Sequence, residues 1–248
     1  MKISVITVCY NSENSIDETI NSVLEQTHND IEYIIIDGNS KDKTKEIIFK
    51  YKNFLNNVVS EEDKGIYDAI NKGIKLSTGE IISILHSDDI FYNKDVCKNV
   101  SEYFNSNQMC DILSGTTLIN SKSNKIIRKY NPKYFKRWMM YIGVSPPHPS
   151  TFIKKKVYDE YGLYNINYNI AGDFDFFLRM LIKKNLKINT LDQNYVLMKS
   201  GGKSSSSLKS NLISSKEMLN SFKENKLYTN WFFILMRFPF KIFQYLIK

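Results

Sequence analysis

Four short apolar runs, rich in β-branched residues, recur through the first third of the chain, and each is followed by a stretch with helical periodicity. Residues 3–9 form one such run, 32–37 a second, the Val58-Val59 pair a third and 80–85 a fourth, all with the composition of buried strands. Between them, Ile16, Ile20, Val23 and Leu24 share one face of a helix. Residues 42–52 form another helix, with Asp42 as its N-cap. Residues 65–77 form a third, whose buried stripe is Ile66, Ala69, Ile70, Gly73 and Ile74, and Thr78-Gly79 stops it. A final helix covers 93–106. Repeated strand–helix units leave few options: an α/β fold with a mostly parallel sheet and helices on both faces.

The 248 residues allow one α/β domain or two small ones, and 42% hydrophobic with 13% aromatic content indicates a packed core. A net charge of +8 favours anionic partners. The charge is spread along the chain and densest after position 120, without the compact Lys/Arg block of a nucleic-acid-binding tail. Cys9, Cys97 and Cys110 are scattered, which argues against a disulfide framework or a zinc site and for a reducing compartment. Residues 1–10 read as a strand, too short for a signal peptide, and no 18-residue uncharged apolar stretch suggests a membrane span.

The pattern changes after about position 107. Residues 111–120 and 125–130 predict an antiparallel pair around a turn at 121–124. Residues 131–150 are loop-rich and contain Pro146-Pro147-His148-Pro149. A helix is expected over 174–184, with Phe174, Phe177, Leu178, Leu181 and Ile182 on one face. Gly201-Gly202-Lys203 and four serines suggest a flexible loop, and two helices close the chain from about 208 and 230. No linker separates two domains. The expected organisation is one catalytic domain over 1–207, with halves at about 1–107 and 108–207, followed by C-terminal helices over 208–248. The last stretch, WFFILMRFPFKIFQYLIK, has only Arg237, Lys241 and Lys248 charged, and Pro239 would kink it. It suits a helix lying in a membrane interface, a helix packed on the protein itself, or a dimer contact.

Acidic residues stand where strands hand over to loops or helices. Asp37 ends the second run, Asp88-Asp89 follow the fourth, and Asp173 opens the later helix. Open α/β sheets bind ligands at the carboxyl ends of their strands. Carboxylates there can hold a ribose, hold a divalent metal on a diphosphate, or accept a proton. Two adjacent carboxylates repel unless a cation sits with them, and Mg²⁺ is usually held by one or two carboxylates plus phosphate oxygens. The plainer alternative is that Asp88 caps a turn. For Asp173 the choice is between an N-cap and a general base. Asp68, Asn71 and Lys72 share a face of the third helix, just after Asp63-Lys64-Gly65. They could contact a diphosphate or ribose, or simply form a solvated face. His28 lies in a loop, His86 could partner the Asp pair, and His148 could contact a phosphate or acceptor. The nucleophile elbow, the P-loop and the GxGxxG fingerprint are all missing from the sequence.

Five ordered segments carry a resemblance: Ser4 to Asn11, Ser22 to Thr27, Glu32 to Thr44, Asp63 to Gly73, and the Asp88-Asp89 pair. In that order and spacing they resemble the family 2 glycosyltransferases, of the glycosyltransferase-A fold, and in particular bacterial enzymes that build capsule, exopolysaccharide or lipopolysaccharide. The resemblance implies an inverting transferase using a nucleotide-diphosphate sugar, with UDP the expected nucleotide and Mn²⁺ or Mg²⁺ as cofactor. Thr7, Tyr10 and Asn11 would line the base and ribose pocket, Asp37 would bond the base, and Ser40 would join them. Lys64, Gly65, Asp68 and Asn71 would approach the donor. Asp88 would touch the ribose, Asp89 the metal, and Asp173 would be the catalytic base, with His148 and Gly172 on the acceptor side. Gly172 stands where the family usually has Glu, and His86 where it usually has Asn. The expected partners are the donor, a saccharide or lipid-linked saccharide acceptor and the inner face of the plasma membrane, with a second copy of the chain left open, and no nucleic acid. A catalytically inactive sugar-nucleotide or glycan-binding protein of the same fold is the competing reading.

Overall fold

Strand β1 (Ile3–Cys9) is buried along its whole length, between β2 (Ile31–Asp37) and β4 (Ile81–Ile84). All three run parallel, and β3 (Asn57–Ser60) extends the parallel group beyond β2. The structure, a computed structural model, describes residues 1–121, 125–199 and 208–240. The expected Gly201-Gly202-Lys203 loop, the turn at 122–124 and the chain from 241 onward lie outside them.

Alternation along the parallel strands builds two cores, one on each face of the sheet. Ile6, Val8, Ile34 and Ile36 face α3 (Ile66–Leu76), while Ile3, Val5, Tyr33 and Ile35 face α1 (Ile16–Leu24) and α2 (Thr44–Lys50). The α3 stripe begins one residue later than its periodicity suggests: Ile66 is exposed and Tyr67 is buried. Asp42 precedes α2 rather than capping it, since Lys43 holds the cap position and the Asp42 Oδ1 accepts from Thr44 N at 3.0 Å.

The parallel arrangement stops at β4. Strand β8 (Thr151–Lys154) inserts antiparallel between β4 and β6 (Ile112–Asn120). The far end of β6 pairs antiparallel with β7 (Ile126–Tyr130), as the sequence suggests, and its other edge pairs parallel with β9 (Ile188–Lys199). A three-residue strand, β5 (Asp89–Phe91), closes the sheet on β9. The spatial order is β3-β2-β1-β4-β8-β6-β9-β5. Strands β5, β8 and β9 go unnoticed in the sequence because β5 and β8 are only 3 and 4 residues long and β9 buries only Tyr195 and Val196 fully, so none shows a period-2 apolar pattern.

Helix α4 (Val96–Ser106) follows β5, and α5 (Lys155–Tyr161) follows β8. Helix α6 (Gly172–Phe177) runs into wider π-type turns over Leu178–Lys183, which together cover the expected 174–184 helix. Helix α7 (Leu208–Glu224) packs on α6, and α8 (Trp231–Leu235) packs on α7.

Helix α3 lies close on β1 because of Gly73, where a Cβ would come within 2.4 Å of Ile6 Cγ2. Alanine gains about 1 kcal/mol over glycine in a helix interior, whereas overpacking a core costs about 1–3 kcal/mol. Ile6 sits at the centre of the sheet and cannot yield, so Gly73→Ala is expected to lower the melting temperature. An unchanged or raised melting temperature would show that α3 lifts off β1 freely.

Candidate functional site

The carboxyl ends of β1, β2 and β3 meet at one edge, with Cys9 beside Asp37 and Asp37 beside Ser60. Asp37 is fully buried there. Its carboxylate accepts from Ser40 N, from Ser40 Oγ and from Ser60 Oγ at 2.6 Å, which shapes the turn after β2. Ser40 Oγ in turn accepts from Asn11 N at 2.8 Å, and Asn11 Oδ1 accepts from Lys41 N at 2.9 Å. Asn11 and Asn39 both adopt left-handed backbone, a conformation asparagine tolerates in tight turns. Asp37, Ser40 and Asn11 therefore form one network joining the two loops. A Cβ on Gly38 would lie 2.5 Å from the Asp63 carboxylate and 3.4 Å from the Tyr10 ring, so those side chains flank a bare stretch of backbone. Tyr10 is 56% exposed at this rim. Thr7 is elsewhere: it is buried inside β1, with its hydroxyl 3.1 Å from Tyr33 Oη.

Gly65 starts α3 with φ of 118°, a conformation that suits only glycine, and its N–H bonds to Asp63 Oδ1 at 2.8 Å. Asp68 accepts from Lys64 N at 3.0 Å and pairs with Lys72 at 3.5 Å, while the Lys64 side chain is exposed. Asn71 does not share that face. It is buried, with Nδ2 donating to Tyr164 O at 2.8 Å and Oδ1 accepting from Tyr164 N at 3.0 Å.

The Ser12 and Ser87 hydroxyls share a 2.8 Å hydrogen bond that draws the turn after β4 to the β1 loop. Asp88 sits half-buried in that turn and Asp89 begins β5. Asp89 is 1% exposed, and neither of its carboxylate oxygens has a hydrogen-bond partner. Burial, and secondarily the charge of Asp88, raises its pKa well above the usual carboxylate range. His86 Nδ1 is likewise buried without a partner. The His86 ring stacks on His148 with centroids 5.8 Å apart. Burial pushes the His86 pKa down, and it pushes His148 to about 3 with help from His86, so both are neutral at pH 7. Among the described residues, no group of three or more His, Cys, Asp and Glu is placed to hold a metal ion.

The imidazoles connect this corner to the second half of the fold. His148 Nε2 lies 2.8 Å from Tyr164 Oη, and the Tyr164 ring stacks on Tyr67 at 5.8 Å. Tyr67 donates to Ile170 O at 2.7 Å and reaches Asp173 Oδ1 at 3.5 Å. A row of side chains, His86, His148, Tyr164 and Tyr67, thus links the Asp88-Asp89 turn to Asp173. A Cβ on Gly172 would fall 2.6 Å from the Tyr67 ring, so glycine at this position leaves the space that the tyrosine occupies.

Asp173 lies in the first turn of α6, two residues past the cap position, which Ala171 holds. Its Oδ1 accepts from Phe174 N at 2.7 Å. Burial raises its pKa to about 6 against the lowering effect of the amides and Tyr67, and Glu217 on α7 adds to the rise. Asp175, the other acid in this turn, is buried and bonded to Arg179, Ser221 and Asn225. One carboxylate is therefore poised to exchange a proton near neutrality, and another is buried without a counter-charge. His28 stands apart, with Nε2 3.0 Å from Met1 O. Tyr67, Ser87, Tyr164 and Glu217 carry no local signal of their importance; only the Asp63 to Gly73 segment hinted at Tyr67.

Residues 4–184 match the Glycosyl transferase family 2 model, which is well over half of the chain. The chain is 26% identical over 181 residues to a PGL/p-HBAD biosynthesis glycosyltransferase of Mycobacterium bovis, covering 71% of this chain and 68% of that protein. Its fold is similar to that of S. aureus TarS 1-349 in complex with UDP-GlcNAc, with a TM-score of 0.67 at 23% identity over 89% of this chain and 67% of that one. It is also similar to the mannosyltransferase PcManGT from Pyrobaculum calidifontis in complex with GDP-Man and Mn²⁺, with a TM-score of 0.67 at 16% identity over 90% of this chain and 63% of that one. The chain spans 40% of a longer TarS structure. From the family match and the sheet that carries it, the chain belongs to glycosyltransferase family 2 and has the glycosyltransferase-A fold.

Proposed function

We propose that this protein transfers a sugar from a nucleotide-diphosphate sugar, with UDP as the nucleotide, to a hydroxyl of a saccharide or lipid-linked saccharide, with inversion at the anomeric carbon. The observation that carries the reading is the pairing of a buried, uncompensated Asp89 with a proton-accepting Asp173 at the two ends of one row of side chains. The UDP-GlcNAc and GDP-Man in the two similar structures support this class of donor.

The donor lies over the strand ends in this reading. Tyr10 and the bare Gly38 backbone take the base, held by the Asn11, Asp37 and Ser40 network, and Asp88 takes the ribose. Lys64, Gly65 and Asp68 approach from the start of α3. Thr7 and Asn71, both engaged inside the protein, support the site from beneath. The two orphaned oxygens of Asp89, beside the charge of Asp88, would hold a hard divalent cation, Mn²⁺ or Mg²⁺. Such an ion, when bound, offsets charge on the departing diphosphate.

Asp173 takes the proton from the acceptor hydroxyl. That oxygen forms its bond to the anomeric carbon from the face opposite the nucleotide, while the bond to the diphosphate breaks and UDP leaves. The inversion needs no protein nucleophile. General-base catalysis supplies about 10²–10⁴-fold.

Release of UDP from a panel of UDP-sugars with Mn²⁺ is the direct test. One donor is expected to react, and Asp89→Ala should abolish metal-dependent release. Asp173→Asn should lose turnover by about 10²-fold or more while still binding UDP by calorimetry. UDP binding with turnover of no donor, even with lipid-linked acceptors present, would instead fit the inactive binding protein.

The pH profile follows from Asp173. A base must be ionised to accept a proton, so activity should rise as pH climbs through about 6. An acid limb near the ordinary carboxylate value of about 4 would show that another group is titrating.

A membrane-borne acceptor fits the C-terminal end. On α8 only Ile234 is buried, while Trp231, Phe232, Phe233 and Leu235 are exposed. Among the described residues, no helix is long and apolar enough to cross a membrane. We read this aromatic face, with the net charge of +8, as a contact with the inner leaflet. The protein should sediment with phosphatidylglycerol vesicles, less so in high salt or as Phe232→Ser. Loss of a dimer in Phe232→Ser, with no vesicle binding by either form, would assign the face to a second copy.

A further inference from the structure

Helix α7 begins 24 residues beyond the end of the segment that matches the family model (208 against 184). One of its side chains nevertheless reaches the backbone that leads into Asp173. Glu217 is buried, and its carboxylate accepts three successive amides: Asn169 N at 2.9 Å, Ile170 N at 2.9 Å and Ala171 N at 2.8 Å. The Asn169 side-chain amide adds a longer contact of 3.4 Å. Helix α6 has no side-chain cap of its own, since Ala171 holds the cap position. Amides at a helix start need acceptors, and hydrogen bonds to a carboxylate are stronger than neutral ones. Glu217 accepts the amide at the cap position, Ala171, and the two amides before it, from a different part of the fold.

The Ile170 peptide is held from both sides. Its carbonyl accepts from Tyr67 on α3, and its N–H donates to Glu217 on α7. Asp173 follows three residues later, in the first turn. The rest of this α7 face bonds to different groups: Ser221 and Asn225 donate to Asp175, and Glu224 accepts from Tyr168 at 2.8 Å. Of these residues, only Glu217 touches the backbone running directly into Asp173.

We propose that Glu217 is a positioning residue of the transfer site, fixing the Asn169–Ala171 turn and through it the place of the Asp173 carboxylate. The inference rests on Asp173 being the base. It also makes α7 a part of the catalytic unit. The ionisable groups around Asp173 are Tyr67 from α3, Tyr130 from β7, Tyr164 from the segment after α5, and Glu217 from α7. Of these, Glu217 is the carboxylate, and its charge acts to raise the Asp173 pKa.

The test compares Glu217→Gln, Ser221→Ala and Asp173→Asn with the parent protein, using whichever UDP-sugar the donor panel identifies. Calorimetric binding of UDP with Mn²⁺ serves as the activity-independent readout. Glutamine keeps the size but offers one acceptor oxygen and no charge. Glu217→Gln should lower kcat by about tenfold to a hundredfold, as misplacement of a reacting group does. Its KM for the donor and its UDP affinity should stay within about twofold, and its acid limb should move to lower pH. Ser221→Ala, which loosens α7 from Asp175 alone, should lower the melting temperature but leave kcat and the acid limb in place. If Glu217→Gln does not fold, Glu217→Asp, one methylene shorter and still charged, is read by its kcat and UDP affinity, with no shift of the acid limb required. Unchanged kcat and acid limb in the Glu217 variant would overturn the proposal, as would an equal kcat loss in Ser221→Ala, which would mark a general effect of α7 on stability. An Asp173→Asn protein with full turnover would sink the base assignment itself, a result distinct from either.

Discussion

Between Asn71 and the backbone of Tyr164 run two buried hydrogen bonds, and through them the helix packed on the parallel strands also holds the segment that leads to Asp173. Helix α3 is pressed onto β1 and β2 by Ala69, Ile70, Gly73 and Ile74, so its position is set by the most deeply buried part of the sheet. Tyr67, one turn earlier, stacks on Tyr164 and bonds to Ile170. The two halves of the site therefore share one rigid reference. Breaking the Asn71 pair would leave a buried N–H and a buried C=O of Tyr164 without partners, at about 1–3 kcal/mol each. That penalty is what makes the junction specific and not merely adhesive.

Desolvation acts on both ends of the site with opposite consequences. At Asp89 it leaves a carboxylate with no internal partner, next to a second acid. Such a site is electrostatically incomplete, and its charged form is disfavoured. At Asp173 burial is offset by the Phe174 amide and by Tyr67, so its pKa settles at about 6. A carboxylate tuned this way is ionised at neutral pH and more basic than an exposed one. Two acids of the same type thus acquire different chemistry from their surroundings. The neutral imidazoles of His86 and His148, kept uncharged by burial, separate them without adding charge.

Helix α7 lies beyond the family match yet bonds to the segment inside it that leads to Asp173. Its inward face is mixed: Met218 and Phe222 pack into the core, while Glu217, Ser221 and Glu224, with Asn225 just past the helix, bond to α6 and the segment before it. Hydrophobic periodicity reveals only the apolar part of such a face, because the polar residues that anchor it look like solvent-exposed ones.

Much of the parallel half was legible in the sequence. Residues 3–9, 32–37 and 65–77 carry strand and helix signals strong enough to place β1, β2 and α3 within a residue or two. The carboxylates at their ends could be named because strand ends in α/β sheets are where ligands bind. The antiparallel part was less legible. Strand β8 forms only once β4 and β6 offer edges on both sides, and β9 is too polar to announce itself. Within the site, the sequence placed Asn71 with Asp68 and Lys72, but the fold turns it inward to Tyr164, 93 residues away. The five ordered segments pointed to the family, while local periodicity and β-branched content determined the fold class and put carboxylates where strands end. The tertiary structure alone decided which of them is left unpaired, which is tuned toward neutrality and what holds it there, because desolvation and long-range hydrogen bonding depend on neighbours that are distant in sequence.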